Sequence, residues 1–371
     1  MFSDFIGNIK NHYKANLPFV AYRKPNENSV KAVFQNSAAL HEVKDFKESG
    51  FVFAPFDTRK PAILLKADII DITEFSGIAN GLVDESRVEP YYSEEEKNFH
   101  INLVEKGIKE IKGDSFKKVV LSRAIRAEVK LNPTLIFQKL LASYPTAFCY
   151  LWYHPKVGLW LGATPEKFLS LDNDTITTNA LAGTQAYHGD LQPIWGQKEK
   201  YEQQLVTDYI HNALKDVVTT ISVSDVSTVR AGGLLHLKTS ISGKVKPDLL
   251  PDIIVRLHPT PAVCGLPKES SKSFILENEN YDREFYTGFL GELNFTSEKK
   301  RNSNSRNVEN GAYRAIKKST ELFVNLRCIQ IVDALAFIYV GGGVTKDSDS
   351  EKEWEETINK SHTMLRVLNA K

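Results

Sequence analysis

Cysteine is scarce in this chain: Cys149, Cys264 and Cys328 are the only three in 371 residues. They lie far apart, are odd in number and form no C-x-x-C pair, which excludes a disulfide framework or a structural zinc site as the organising principle. Each is expected in a core as a small apolar residue. An excess of one charge is missing as well. Lys plus Arg number 47 against 46 for Asp plus Glu, a net charge of +1. That leaves no basic stripe for nucleic acid and no polybasic face for a membrane surface. Long apolar runs are also absent. The most apolar stretch, Ala334 to Val344, falls well short of the roughly 20 residues that a membrane span needs. The opening MFSDFIGNIKNHYKANLPF has neither an apolar run of signal-peptide length nor a small-residue cleavage pattern. The expectation is a cytoplasmic protein whose partner is a small molecule, with no nucleic acid and no membrane.

What is present suggests about two domains or one large unit. Residues 1–95 mix short apolar runs (FVFAPFD, PAILLKADIID) with turn residues, and the polar VDESRVEPYYSEEEKN reads as a junction. From there to residue 371, helical and strand-like segments follow unevenly. FHINLVEKGIKEIKG puts Phe99, Leu103, Ile108 and Ile111 at helical spacing. YEQQLVTDYIHNALKDVV does the same with Leu205, Tyr209, Leu214 and Val217, and SEKEWEETINKSHTMLRVL predicts a closing helix. Between them, KKVVLSRAIRAEV, FCYLWY, VGLWLGAT, TITTNALAG, LHLKTSISGKV, LFVNLRCIQIV and ALAFIYVGGG read as strands, and EKKRNSNSRNVENG as a loop. Strands outnumber helices without regular alternation, so the expected class is α+β, with residues 1–95 completing the sheet of a unit formed by 96–371.

Gly341, Gly342 and Gly343 follow an apolar strand without the Lys-Ser/Thr of a nucleotide P-loop; their bare backbone suits an anionic ligand. On the closing helix Glu353, Glu356 and Lys360 share one face. Ser350 with Glu353 also spells a capping box, and Glu356 with Lys360 an ordinary surface ion pair. Glu199 and Glu202 are spaced alike on the earlier helix, where a solvated face is the plain alternative. Carboxylates from two helices, with no Cys or His cluster, fit a hard cation such as Mg²⁺.

At these residues the chain resembles the chorismate-utilising enzymes, the group of isochorismate, salicylate, anthranilate and aminodeoxychorismate synthases. Ten blocks occur in family order: KVVLSR from Lys118, LGATPE to Glu166, ALAGT, YEQQLV, HLKTSISG, LHPTPAVCG, YDREFYTGFLG, VNLRC, YVGGGV and EWEETINK. The resemblance implies a large antiparallel sheet core flanked by helices. Lys118 resembles the lysine of the water-adding branches, and Ala182 stands where aminodeoxychorismate synthases place a nucleophilic lysine. Amination is thereby disfavoured, and no glutamine amidotransferase subunit is expected. Ala262 is similar to the isochorismate synthases, whereas Tyr286 stands where they often carry phenylalanine. The alternatives left open are salicylate synthase, with later loss of pyruvate, and a non-catalytic chorismate-binding protein.

By the same resemblance Lys118 is the base that activates water, which requires its pKa to fall from about 10.4 to about 7.5, or about 4 kcal/mol. Glu166 is the general acid and needs its own pKa raised. Glu202 and Glu356 are the Mg²⁺ ligands, with Glu199 and Glu353 supporting them. Arg327 grips the enolpyruvyl carboxylate, Lys360 and the backbone of Gly341 to Gly343 meet a carboxylate, and Ala182, Gly183, Thr184, His236, Ala262 and Tyr339 line the ring. The expected reaction is conversion of chorismate to isochorismate, which menaquinone and catechol-siderophore routes both use.

Overall fold

Strand Phe148–His154 reads FCYLWYH with every residue buried, so it has no solvent face and must be covered on both sides. A computed structural model of the chain shows the two covers; it describes residues 1–77, 91–187, 189–191, 193–231, 233–298 and 316–368. Cys149, Leu151 and Tyr153 face helices, sharing a core with Phe5, Ile136, Leu140 and Leu365. Phe148, Tyr150 and Trp152 point the other way, toward Phe51, Phe53 and Phe323 of a second sheet. That sheet's outer face packs Leu169, Ala180 and Ile241 against Val206, Ile210, Ile253 and Leu257 of two further helices. Alternation along the strands thus generates four layers, helix, sheet, sheet, helix.

Both sheets are antiparallel throughout their described pairings. The first runs Gly265–Leu266, Lys118–Glu128, Leu335–Val344, Cys328–Val332, Gly158–Thr164, Phe148–His154, Phe19–Arg23, Ser29–Phe34, Ile69–Glu74. The second runs Thr219–Val223, Leu234–Lys244, Thr175–Ala186, Lys167–Asp172, Ile316–Val324, Phe289–Glu298, Gly50–Ala54, Ile63–Leu65, His41–Glu42. Each sheet therefore takes three strands from residues 1–95 and the rest from later in the chain. The class is α+β, as the uneven alternation of segments implied.

Several local readings are corrected. In helix Glu94–Lys112 the buried face is His100, Leu103, Val104, Gly107 and Ile111, and Phe99 is 39% exposed. Gly107 sets this rotation, because a Cβ there would sit 3.2 Å from Leu121 and 3.3 Å from Val119; the helix lies down on the strand at its smallest residue. The second helix, Gln197–Leu214, ends before Val217. LFVNLRCIQIV is two strands in different sheets, broken at 325–327. Gly341, Gly342 and Gly343 lie inside strand Leu335–Val344, paired with Ser122, Leu121 and Val120, as the reading of ALAFIYVGGG as a strand implied.

The closing helix spans Ser350–Leu368, as its pattern predicted. All three cysteines are free and buried. Residues 83–90 of the junction and 299–311 of the Asn/Ser-rich loop lie outside the described residues; strands Phe289–Glu298 and Ile316–Val324 on either side of that loop pair with each other. Among the described residues no helix is long and apolar enough to cross a membrane.

Phe53 is fully buried between the sheets and stacks on Phe285 at 4.2 Å. Phe53→Ala is expected to cost about 3–5 kcal/mol, read as a lowered midpoint in chemical denaturation; an unchanged midpoint would show that the inter-sheet core does not carry the fold.

Candidate active site

Twice the chain leaves one sheet for the other beside the same spot. Pro165 and Glu166 join Gly158–Thr164 of the first sheet to Lys167–Asp172 of the second, and Asn325 to Arg327 join Ile316–Val324 of the second to Cys328–Val332 of the first. The crossings are tied through backbone: Val324 N–H donates to the Glu166 carbonyl at 3.0 Å, and Ala163 N–H to the Arg327 carbonyl at 3.0 Å. Arg327 takes φ +47° to make its turn, an uncommon state for a non-glycine residue.

Glu166 is 5% exposed. Burial pushes its carboxyl up to about 8, against the opposing charges of Lys118, Arg327 and Lys360. A carboxylic acid that keeps its proton to that pH can donate it near neutrality.

Strand Thr175–Ala186 carries ALAGT into the cleft with a bulge between Ala182 and Thr184. Gly183 stands in the bulge at φ +67°, and a Cβ there would fall 3.1 Å from Glu199 Cβ; glycine supplies both the backbone state and the close approach of the helix start. Thr184 pairs with His236 across the ladder. His236 Nδ1 faces the Gly183 carbonyl at 3.0 Å and Thr184 Oγ1 at 3.3 Å. Burial, then Arg327 and Lys360, lowers the imidazole to about 3, so it is neutral. With Nδ1 donating to Gly183, Nε2 is a buried acceptor without a partner.

Three lysine–carboxylate pairs form the opposite wall. Lys118 opens strand Lys118–Glu128, is 0% exposed, and holds its ammonium 2.7 Å from Glu202 Oε1. The contact is an ion pair off the hydrogen-bonding direction, so the buried nitrogen has no hydrogen bond among the described residues. Lys198 reaches Glu353 Oε1 at 2.5 Å, and Lys360 reaches Glu356 Oε1 at 2.5 Å and the Gly341 carbonyl at 2.7 Å. Burial and the neighbouring Glu356 raise the Glu353 carboxyl. Burial also works to raise Glu356, yet Lys360 prevails and holds it low.

Glu353 does not cap its helix. Asp349 does, accepting from Lys352 N–H at 3.0 Å, while Glu353 is 2% exposed and points inward. The glycine stretch has its reason here: a Cβ on Gly343 would lie 2.2 Å from Glu202 Oε1 and 3.2 Å from Lys118 Cε, and one on Gly342 would lie 3.0 Å from Glu353 Oε2.

These groups line one cleft of about 870 Å³, its open mouth included. It brings together Glu166, Ala182, Gly183, Thr184, Glu199, Glu202, His236, Ala262, Arg327, Tyr339, Gly341, Gly342, Gly343, Glu356 and Lys360, with Lys118 and Glu353 behind the wall. Tyr339 contributes its ring alone, since its hydroxyl donates to Gln330 at 2.8 Å. Tyr286 stacks on that ring at 5.4 Å and also lines the cleft. Lys198 was not among the residues expected from sequence. Its i,i+4 spacing to Glu202 reads as a surface pair, and nothing local reveals the reach to Glu353.

The donor set fits a hard divalent cation. The carboxylates Glu202, Glu353 and Glu356 are oxygen ligands brought together from two helices, and Glu353 Oε2 is buried without a partner among the described residues, which is the chemistry a cation of that class takes.

The chain matches the profile described as chorismate binding enzyme over residues 79–299 and 313–369. It is 28% identical over 221 residues to isochorismate synthase DhbC of Bacillus subtilis, covering 56% of this chain and 50% of that one. It is 29% identical over 280 residues to isochorismate synthase MenF of Escherichia coli, covering 72% and 59%. The chain thus spans little more than half the length of these curated relatives. Among solved structures, the menaquinone-specific isochorismate synthase MenF of Escherichia coli superposes with TM-score 0.73 at 20% identity, covering 95% of this chain and 89% of that one.

Gly343→Ala is expected to push the mobile end of Glu202 aside with the fold intact. Calorimetry should show Mg²⁺ binding about tenfold weaker or worse with unchanged circular dichroism; unaltered affinity would remove Glu202 from the cation site.

Proposed function

The chain belongs to the chorismate binding enzymes, and from that premise we propose that it is an isochorismate synthase, converting chorismate to isochorismate with Mg²⁺. One observation carries the reading: a buried, protonated glutamate, Glu166, lines the cleft, and a buried lysine, Lys118, paired with Glu202, lies directly behind its wall within electrostatic reach of that glutamate. Addition of water at C2 with departure of the C4 hydroxyl needs a base and an acid acting together. Lys118, in its unprotonated form, takes a proton from water as its oxygen bonds to C2. The ring double bonds shift, and Glu166 gives its proton to the C4 oxygen, which leaves as water. Atoms balance, and one proton returns from Lys118 to Glu166 through solvent to reset the site.

Arg327 offers a fork of N–H donors to the enolpyruvyl carboxylate, its turn fixed by the Ala163 hydrogen bond. Lys360 supplies a second cation at the glycine stretch. His236, neutral, presents Nε2 as an acceptor to a ring hydroxyl. Mg²⁺, when bound to Glu202 and Glu356, would anchor the C1 carboxylate and draw charge from the ring. Lys118 is held 2.7 Å from Glu202, so reaching the attacking water requires Glu202 to turn to another partner. Ala182 leaves no nucleophile for an aminating reaction. The Tyr286 hydroxyl beside the glycine stretch keeps one second reading, in which isochorismate goes on to lose pyruvate.

Incubation with chorismate and Mg²⁺ followed by product separation tests the assignment. Isochorismate alone supports it, salicylate plus pyruvate supports the second reading, and binding without turnover rejects both. Lys118→Ala and Glu166→Gln should each lower turnover by at least about 10²-fold with circular dichroism unchanged; near-normal rates in either would remove that residue from its role.

The Glu166 carboxyl lies above its ordinary value, so the acid form persists until about pH 8. As pH rises through that value the proton donor is lost, and kcat/KM should fall. A profile flat from pH 7 to 9.5 would contradict the proton-donor role.

A further inference from the structure

Beyond residue 119, strand Lys118–Glu128 has no strand partner on its outer side among the described residues. A second cavity, about 1120 Å³ with its open mouth, wraps this free edge between helix Glu94–Lys112 and the 280–284 turn. Arg123 lines it and is 8% exposed. Its Nε donates to Thr357 at 2.9 Å and its guanidinium lies 3.9 Å from the Trp354 ring. Its Nη2 is buried with no partner, and it forms no salt bridge among the described residues.

The acid within electrostatic range, Glu96, is exposed and turned back on the Ser93 backbone N–H at 3.0 Å. His100, 2% exposed, faces the same cavity with an unpartnered Nδ1. Leaving a buried guanidinium N–H unpaired is costly, and an orphaned donor on a residue that lines a cavity marks a place for a ligand with acceptors.

The rest of the lining narrows the class. Tyr281, Phe337 and Tyr339 provide aromatic walls. Of the three lining acids, Glu96 is turned onto Ser93, Asp282 pairs with Lys60 and Glu284 accepts from Gln330 at 3.0 Å, while Arg126 adds a second, exposed guanidinium. The charge of these carboxylates disfavours a doubly charged anion. We propose that this cavity binds a small aromatic monocarboxylate, its carboxylate on Arg123 and its ring against Tyr281, Phe337 and Tyr339. The proposal does not rest on the isochorismate synthase assignment, because none of Arg123, His100, Tyr281 or Phe337 lines the first cleft and Tyr339 alone is shared by the two linings.

Calorimetric titration of the full chain with benzoate tests it, with benzamide as neutral isostere and inorganic phosphate as competitor. One saturable benzoate event is expected, retained in Arg327→Ala, where the cleft has lost its guanidinium. It should weaken about tenfold or more in Arg123→Met and in Ala124→Leu, and benzamide should bind at least as weakly. Ala124→Leu narrows the cavity with the guanidinium kept, so it decides the matter if Arg123→Met fails to fold. Absence of saturable heat, loss of binding only in Arg327→Ala, equal binding of benzamide, or displacement by phosphate would each overturn the proposal.

Discussion

The cleft depends on one constraint, the paired crossing of chain between two sheets. A strand that changes sheet must break its ladder, and the freed backbone groups need partners. Here two crossings satisfy each other, each donating an N–H to a carbonyl of the other at 3.0 Å. The side chains at those corners, Glu166 and Arg327, are thereby fixed to each other by main chain rather than by their own flexible contacts. The roles proposed for them, proton donor and carboxylate-binding guanidinium, would need that rigidity, since a displacement of about 1 Å can cost two orders of magnitude in rate.

Charge is arranged on the same principle. Lys118, Lys198 and Lys360 each face a carboxylate carried on a different element, and the strand between them is cleared of side chains at Gly342 and Gly343. Buried ion pairs add little net stability, because desolvation offsets most of the attraction. What they provide is a polar wall whose Lys118 and Lys198 pairs join different elements of the fold. Glu166 makes no such pair among the described residues and keeps its proton through burial.

Much of this was legible in the sequence, and the rest was hidden for identifiable reasons. Helix Ser350–Leu368 and the free buried cysteines follow from periodicity and spacing, and the α+β class from the uneven order of segments. The break in LFVNLRCIQIV was not legible, because a continuous apolar run carries no sign that Arg327 turns with positive φ. Gly341 to Gly343 read as bare backbone suited to an anion; their packing cause, the bulk of Glu202 and Glu353, comes from segments far away in sequence and was not legible. Glu353 read equally well as a cap, and only its burial against Lys198 decided between the two. Phe99 fell on the wrong face because helical spacing alone does not reveal which stripe finds a glycine to lie against.

The strand order has a consequence for how the molecule comes into being. The catalytic strand Lys118–Glu128 is flanked by Leu335–Val344, and Phe19–Arg23 docks beside Phe148–His154. Neither sheet can close until nearly the whole chain has left the ribosome, and its contacts join positions hundreds of residues apart. Such topologies fold slowly and leave apolar strand edges uncovered in the interval. That interval, before the distant strands meet, is when a chain of this strand order is most open to wrong edge-to-edge pairing, an exposure that a helical bundle of equal length largely avoids.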